Sequence, residues 1–351
     1  MKVLGNLDWR HPLVRARVMI AAPLQEALAA SGAWRALTAE EKATVQADTV
    51  PVGGDREDQR RLVYKHPRPE FLDVEDLIYT PQGLAKHKGR YTARYSLRPP
   101  STVEILRTWN VAPAQSLPHG TVLECETPYT YGDWVGDYVL SLVTATNLVE
   151  PLILPAFLAD KAYVIRDVEK LGISYVIARE PVRIEKARVL RKRVPSYYWG
   201  PEHVAAYRAA FKINPPPAAP GSIVYLARFD TVSEAAQRRY PSETVARIVE
   251  SLGGEVFDTR NASPAAFEAL APRMETVIAD QGSAVFGVMH SSTRTLIELA
   301  EDDWWHNANL FIAHGAGVKN YAVIHIYNKT ETDLRARIEG HLREFGVTGA
   351  L

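Results

Sequence analysis

From Ile223 onward the chain alternates short β-branched runs with amphipathic stretches, a rhythm that admits few folds. IVYLAR (223–228) reads as a strand. ETVARIVESL (243–252) places Val245, Ile248, Val249 and Leu252 on one helical face and stops at Gly253-Gly254. EVFD reads as a short strand, and Ser263-Pro264 supplies the cap and first residue of another helix. TVIAD, a helix over 282–290, LIEL and YAVIHIY follow. The closing helix begins near Thr332 and carries Leu334, Ile338, Leu342 and Phe345 on one face, with Gly346 as its stop. Strands spaced by helical segments predict a parallel sheet.

Four prolines within Asn214–Gly221 cannot continue a helix or donate to a ladder, so 214–221 reads as a stiff linker between domains. Before it, TVLECE, KAYVI, SYVIA and ARVLRKRV are expected strands, with helices over 134–149 and 201–211. The expected organisation is α/β: an irregular accessory segment (1–95), a Rossmann-like domain (96–213), the linker, a second Rossmann-like domain (222–330) and a C-terminal helix (331–351). Thr38-Ala39-Glu40-Glu41 is a capping box within the accessory segment.

At 351 residues, two domains are the default for one chain. Lys+Arg and Asp+Glu balance at 41 each, so no global field favours nucleic acid, and none is expected as a partner. Cys125 is the one cysteine, which excludes an intramolecular disulfide framework and a multi-thiolate metal site. Charges at Asp8, Arg10, Arg15 and Arg17 break up the N-terminal stretch, and no apolar run reaches 18 residues. A cytoplasmic location is the resulting expectation.

Parallel sheets bind phosphorylated ligands at the carboxyl ends of their strands, where helix N-termini present free N–H groups. Arg228 ends its strand there; it is either a snorkelling surface arginine or a bidentate diphosphate ligand. Arg238 and Arg239 are adjacent and diverge on regular structure, which leaves one to face a ligand, and Arg239 is preferred. Glu243 either complements a helix dipole or accepts ribose hydroxyls. Gly282-Ser283-Ala284 sits between a strand and a helix, where small residues permit close packing or present N–H groups to phosphate. Glu298 ends an apolar strand, where a carboxylate must be paired or lie at the rim in reach of a sugar hydroxyl. Tyr197-Tyr198-Trp199 are either core aromatics or a sugar-stacking platform. Gly315 and Gly317 are expected to turn the chain into YAVIHIY, and Glu301-Asp302-Asp303 reads as a solvated loop. No Asp-x-Asp pair suited to a metal-bound donor occurs.

The pieces YLAR (225–228), RRYPSE (238–243), the GSA turn (282–284) and LIEL (296–299), with Tyr131-Gly132-Asp133-Trp134 upstream, resemble the signature of glycosyltransferase family 61 in order and spacing. Gln281, Ser242 and Asp133 stand where that family carries His, Asn and His. The resemblance implies two Rossmann-like domains facing a cleft, the GT-B-like arrangement. The donor would be a nucleotide sugar held by Arg228, Arg239, Glu243, Gln281, Gly282, Ser283 and Glu298, with no cofactor and no metal. It further implies inverting transfer to a glycan or lipid-linked acceptor in surface polysaccharide synthesis, with peripheral association at the inner membrane face. Asp133 is then the expected base, its alternative being an N-cap for the helix that follows. Polysaccharide pyruvyl or Kdo-type transfer, or an inactive glycan-binding homologue, are the rival expectations.

Overall fold

The computed structural model describes residues 46–50, 53–54, 61–64, 70–81, 83, 85–87, 90–91, 112–124, 131–145, 148–191, 199–229, 240–301 and 308–347. These form a mixed α/β protein with a seven-stranded and a six-stranded sheet, both rich in parallel pairs, and a separate antiparallel pair, Gln46–Val50 with Arg61–Tyr64. Two compact units divide the chain. The first comprises Met1–Ala39, Arg68–Pro128 and Ala145–Pro195; the second comprises Glu40–Pro67, Tyr129–Thr144 and Ser196–Leu351. No helix among the described residues is long and apolar enough to cross a membrane.

In the first unit, Gln115–Glu124, Leu152–Pro155, Tyr175–Ala178 and Val182–Arg191 are joined by parallel pairing. Glu70–Tyr79 adds to Val182–Arg191 in antiparallel register, and Ala85–His87 and Arg90–Tyr91 continue that edge. Leu77, Val122, Ile153, Val182, Ile184 and Val189 form its buried core. Arg183 and Lys186 are exposed, and Arg188 is half-buried. Arg183 and Arg188 pair across the strands with Asp76 at 2.6 Å and Asp73 at 2.8 Å. KAYVI, expected as a strand, belongs instead to the helix Ala162–Lys170, where Val164, Asp167 and Val168 recur on the buried side at helical spacing. Leu152–Pro155 was not anticipated as a strand; a run of four buried residues is too short to announce its period.

The second unit is built on the six-stranded sheet, every pair of which is parallel. Ile223–Ala227 lies between Glu255–Asp258 on one side and Thr276–Asp280 on the other. Thr295–Ala300, Asn320–His325 and the two-residue strand Gly53–Gly54 follow outward. One face carries Tyr225, Ile278, Ile297 and Ile324 against the helices Ser242–Ser251 and Glu331–Glu344, which contribute Val245, Val249, Leu334, Ile338 and Leu342. The alternate strand residues Val224, Leu226, Val277 and Leu296 are equally buried, as a sheet covered on both faces requires. Ser263 caps its helix as expected, accepting from the Ala266 N–H at 3.1 Å.

Three organisational expectations are revised. The segment 1–95 was expected to be irregular, yet it supplies strands to both sheets. The proline run 214–221 is extended but does not join the two units: it lies wholly within the second. The Ala219 N–H donates to Pro272 O at 2.8 Å and the Gly221 N–H to Glu275 at 2.5 Å. The helix expected over 134–149 runs from Tyr131 to Thr144 and groups with the second unit rather than with the strands flanking it in sequence. The Thr38–Glu41 capping box lies outside the described residues.

Candidate functional site

The second unit's sheet changes direction between Ile223–Ala227 and Thr276–Asp280, because the chain first steps to Glu255–Asp258 and then crosses back. Connections on opposite faces leave a crevice at the carboxyl ends of those two strands, the usual ligand position in such sheets. Arg228 follows the first strand, and Gln281-Gly282-Ser283 follows the second.

Asp280 organises this crevice. Fully buried, it accepts the Tyr225 hydroxyl at 2.8 Å on each oxygen, and at Oδ2 also the Arg228 N–H at 2.8 Å and the Ser242 hydroxyl at 2.7 Å. Burial pushes its carboxyl from the ordinary 3.8 up to about 6, against the opposing pull of those donors and of the Arg228 charge. Burial and the neighbouring carboxylate push the Tyr225 hydroxyl far upward, so Tyr225 acts as a neutral phenol. Asp280 was not singled out from the sequence. The signal existed: TVIAD puts a carboxylate at the end of an apolar strand, the same anomaly that drew attention to Glu298.

Arg228 is half-buried. Its Nη1 donates to Gln281 O at 2.9 Å, its guanidinium lies 5.7 Å from the Tyr240 ring centroid, and the Tyr240 hydroxyl also reaches Gln281 O, at 3.2 Å. Arg228 is therefore held in place rather than trailing into solvent. A Cβ on Gly282 would stand 2.8 Å from Arg228 Nη1, so glycine is what lets the guanidinium lie across this turn. Gln281 itself is fully buried, and neither its carboxamide nitrogen nor its oxygen has a hydrogen-bond partner among the described residues.

Arg228, Phe229, Tyr240, Pro241, Ser242, Glu243 and Thr244 line a pocket of about 220 Å³. Its floor includes the start of the helix Ser242–Ser251. The first intrahelical bond runs from the Val245 N–H to Pro241 O, so the N–H groups of residues 242–244 precede the helical ladder. Glu243 is exposed in that first turn. Arg239 lies outside the described residues.

Gly132 is buried, with its would-be Cβ 3.0 Å from Ser283 Oγ and 3.4 Å from Phe286. The half-buried Asp133 thus sits one residue from a direct contact with the small-residue turn, within the second unit. It is not an N-cap. Its backbone is helical (φ −63°, ψ −43°) and its side chain makes no capping bond, because the helix already begins at Tyr131. π-helical turns follow over Trp134–Val139, with the Leu140 N–H bonding Val135 O; such turns recur at functional sites.

Glu298 does not join this group. It is fully buried rather than at a rim, and it accepts from Asn309 at 2.5 Å and from the Tyr321 hydroxyl, which satisfies both its oxygens inside the unit. Trp199 is likewise buried, edge-on to His203 at 4.8 Å, while Tyr197 and Tyr198 lie outside the described residues. Gly315 falls within the helix Ala308–Ala316, and Gly317, at φ +93°, makes the turn. Among the described residues, no group of three or more His, Cys, Asp or Glu side chains is placed to hold a metal ion. The structure thus brings Arg228, Gln281, Gly282, Glu243 and the Gly132–Ser283 contact to one end of one sheet, adding Tyr225, Tyr240, Ser242 and Asp280. Neither a family model nor a curated protein matches this chain.

Proposed function

We propose that the chain is a glycosyltransferase whose second unit binds a nucleotide-sugar donor at the switch point of its parallel sheet. The observation that carries this reading is the convergence there of Arg228, the Gly282 turn and the open first turn of the helix Ser242–Ser251 around one pocket. A guanidinium beside free N–H groups suits a diphosphate. The pocket volume of about 220 Å³ is enough for a diphosphate or a ribose rather than a whole nucleotide sugar. The resemblance of YLAR, RRYPSE and LIEL to glycosyltransferase family 61 supports the same reading, along with two Rossmann-like domains and inverting chemistry.

In the proposed step, an acceptor hydroxyl oxygen forms a bond to the anomeric carbon while the bond from that carbon to the diphosphate oxygen breaks. The hydroxyl proton passes to Asp133, and the departing charge is stabilised by Arg228 and the helix N-terminus without a metal ion. The approach of Gly132 to Ser283 supports Asp133 for this role, since it sets the carboxylate's helix against the donor turn. The acceptor is a glycan or lipid-linked glycan at the cytoplasmic face of a membrane.

The test is a thermal-shift panel with UDP, GDP, CMP and their sugars, followed by transfer assays on the best binder. A ligand that binds the folded state raises the melting temperature. Arg228→Ala is expected to weaken donor binding about tenfold to a hundredfold, and Asp133→Asn to abolish transfer while donor binding persists. A flat response to every nucleotide, or full turnover in both variants, would overturn the proposal.

A further inference from the structure

The carboxylate of Asp280 lies directly behind the pocket, and its two oxygens are unequally engaged. Oδ2 accepts from the Arg228 N–H and the Ser242 hydroxyl, both from pocket-lining residues, whereas Oδ1 meets, among the described residues, the Tyr225 hydroxyl. A phenol accepts as readily as it donates. A proton placed on Oδ1 is therefore donated to Tyr225 Oη while Oδ2 keeps both pocket contacts. A proton on Oδ2 would set a donor against an amide N–H. The geometry thus offers one protonation site that leaves the pocket wall in place.

Asp280 is fully buried, so little solvent screens it from charge arriving in front of it. The groups facing it or the pocket are Tyr225 on its neighbouring strand, Arg228 and Tyr240 beside it, and Glu243 in the first turn of the packed helix; Arg247, one turn on, pairs with Glu331 at 2.8 Å. Arg228 favours the ionised form, and burial opposes it strongly enough to hold the group near 6. A diphosphate against Arg228 and Ser242 adds like charge behind which a buried carboxylate cannot readily stay ionised. We propose that Asp280 takes up a proton at Oδ1 when the diphosphate of a donor occupies this pocket, so that donor binding and protonation are linked. The inference rests on the donor-site reading above.

Calorimetric titration of the full chain at about pH 6.5, in two buffers of different ionisation enthalpy, tests it. The ligands are UDP-glucose, UDP-N-acetylglucosamine and GDP-mannose, whose doubly esterified diphosphates do not titrate near neutral pH. The native chain is expected to take up roughly half a proton per bound ligand, and Asp280→Asn to bind with none. Should Asp280→Asn fail to fold, Ser242→Ala removes a donor from Oδ2, leaves the Tyr225 acceptor at Oδ1 in place, and moves the uptake to higher pH. Binding without buffer dependence, uptake retained in Asp280→Asn, or uptake at an unshifted pH in Ser242→Ala overturns the coupling and leaves the donor site standing. Absence of binding by all three ligands overturns both.

Discussion

Gly282→Ala separates the binding role of the turn from its contribution to stability. The new methyl would sit 2.8 Å from Arg228 Nη1, 3.5 Å from Cζ and 3.6 Å from Cδ. Something must move, and the movable partner is the tip of a flexible side chain. Arg228 then gives up its 2.9 Å bond to Gln281 O. A hydrogen bond from a charged group is worth about 1.5–3 kcal/mol, and the half-buried guanidinium recovers part of that from water. The backbone adds a second term, because φ +157° with ψ −172° is a region essentially reserved for glycine, and a side chain there is strained by about 1–2 kcal/mol. Gly253→Ala is the control: at φ +76° it carries comparable strain, and its Cβ meets nothing within 4 Å. Urea denaturation should therefore show both variants destabilised, by about 1–2 kcal/mol for Gly253→Ala and about 2–3 kcal/mol for Gly282→Ala. Calorimetric affinity for the best-binding nucleotide should fall about tenfold or more in Gly282→Ala alone. Equal affinity in the two variants would refute the idea that the turn positions Arg228 for a ligand.

Three further outcomes follow from the second unit's packing. Asp280 has a folded-state pKa of about 6, raised from 3.8, so its contribution to stability is fully present below about pH 4 and is lost as pH rises through 6. The native chain should lose stability relative to Asp280→Asn by about 3 kcal/mol across that window, measured by urea denaturation at stepped pH. Gly340→Ala, inside the helix Glu331–Glu344 with open space around the new Cβ, should raise stability by about 0.5–1 kcal/mol and the melting temperature with it. Gly287→Ala would put a methyl 2.3–2.7 Å from three ring carbons of the packed Phe267 and should destabilise by about 1–3 kcal/mol in the same assay.

Much of the second unit was legible because its signals are local. Val245, Ile248 and Val249 recur at helical spacing, Ser263-Pro264 is a cap, and the apolar runs at 223–227, 276–280 and 295–300 are bounded by turns. The switch point follows from strand order, which local patterns do not encode, yet Arg228 and Gly282 were reachable because position after a strand is itself informative. Glu298 misled because a carboxylate at a strand end looks the same whether it meets a ligand or, as here, Asn309 and Tyr321 from distant elements. Asp280 carried the same mark and passed unnoticed. The proline run misled for a related reason: rigidity is written in the residues, but what they pack against is not, and residues 214–221 are fastened to Pro272 and Glu275. KAYVI failed because five residues of mixed apolar character fit either period.

Gly53–Gly54 is the smallest strand in the second unit and has the longest reach. It pairs with Ala322 and Val323, about 270 positions further along the chain. At Gly54, φ is +72° and a Cβ would lie 2.2 Å from Val323 O, so no other residue fits that edge. During synthesis this strand emerges about 270 residues before its partner. Closing so long a loop is entropically slow to repay, and the sheet's other five strands lie between Ile223 and His325 without it. The edge beside Asn320–His325 therefore stays open until a segment from far upstream returns to it. A product stopped short of Asn320 would carry Gly53–Gly54 with no strand to join, and a product started after Gly54 would leave Asn320–His325 as an unpaired, apolar edge prone to pairing with other chains.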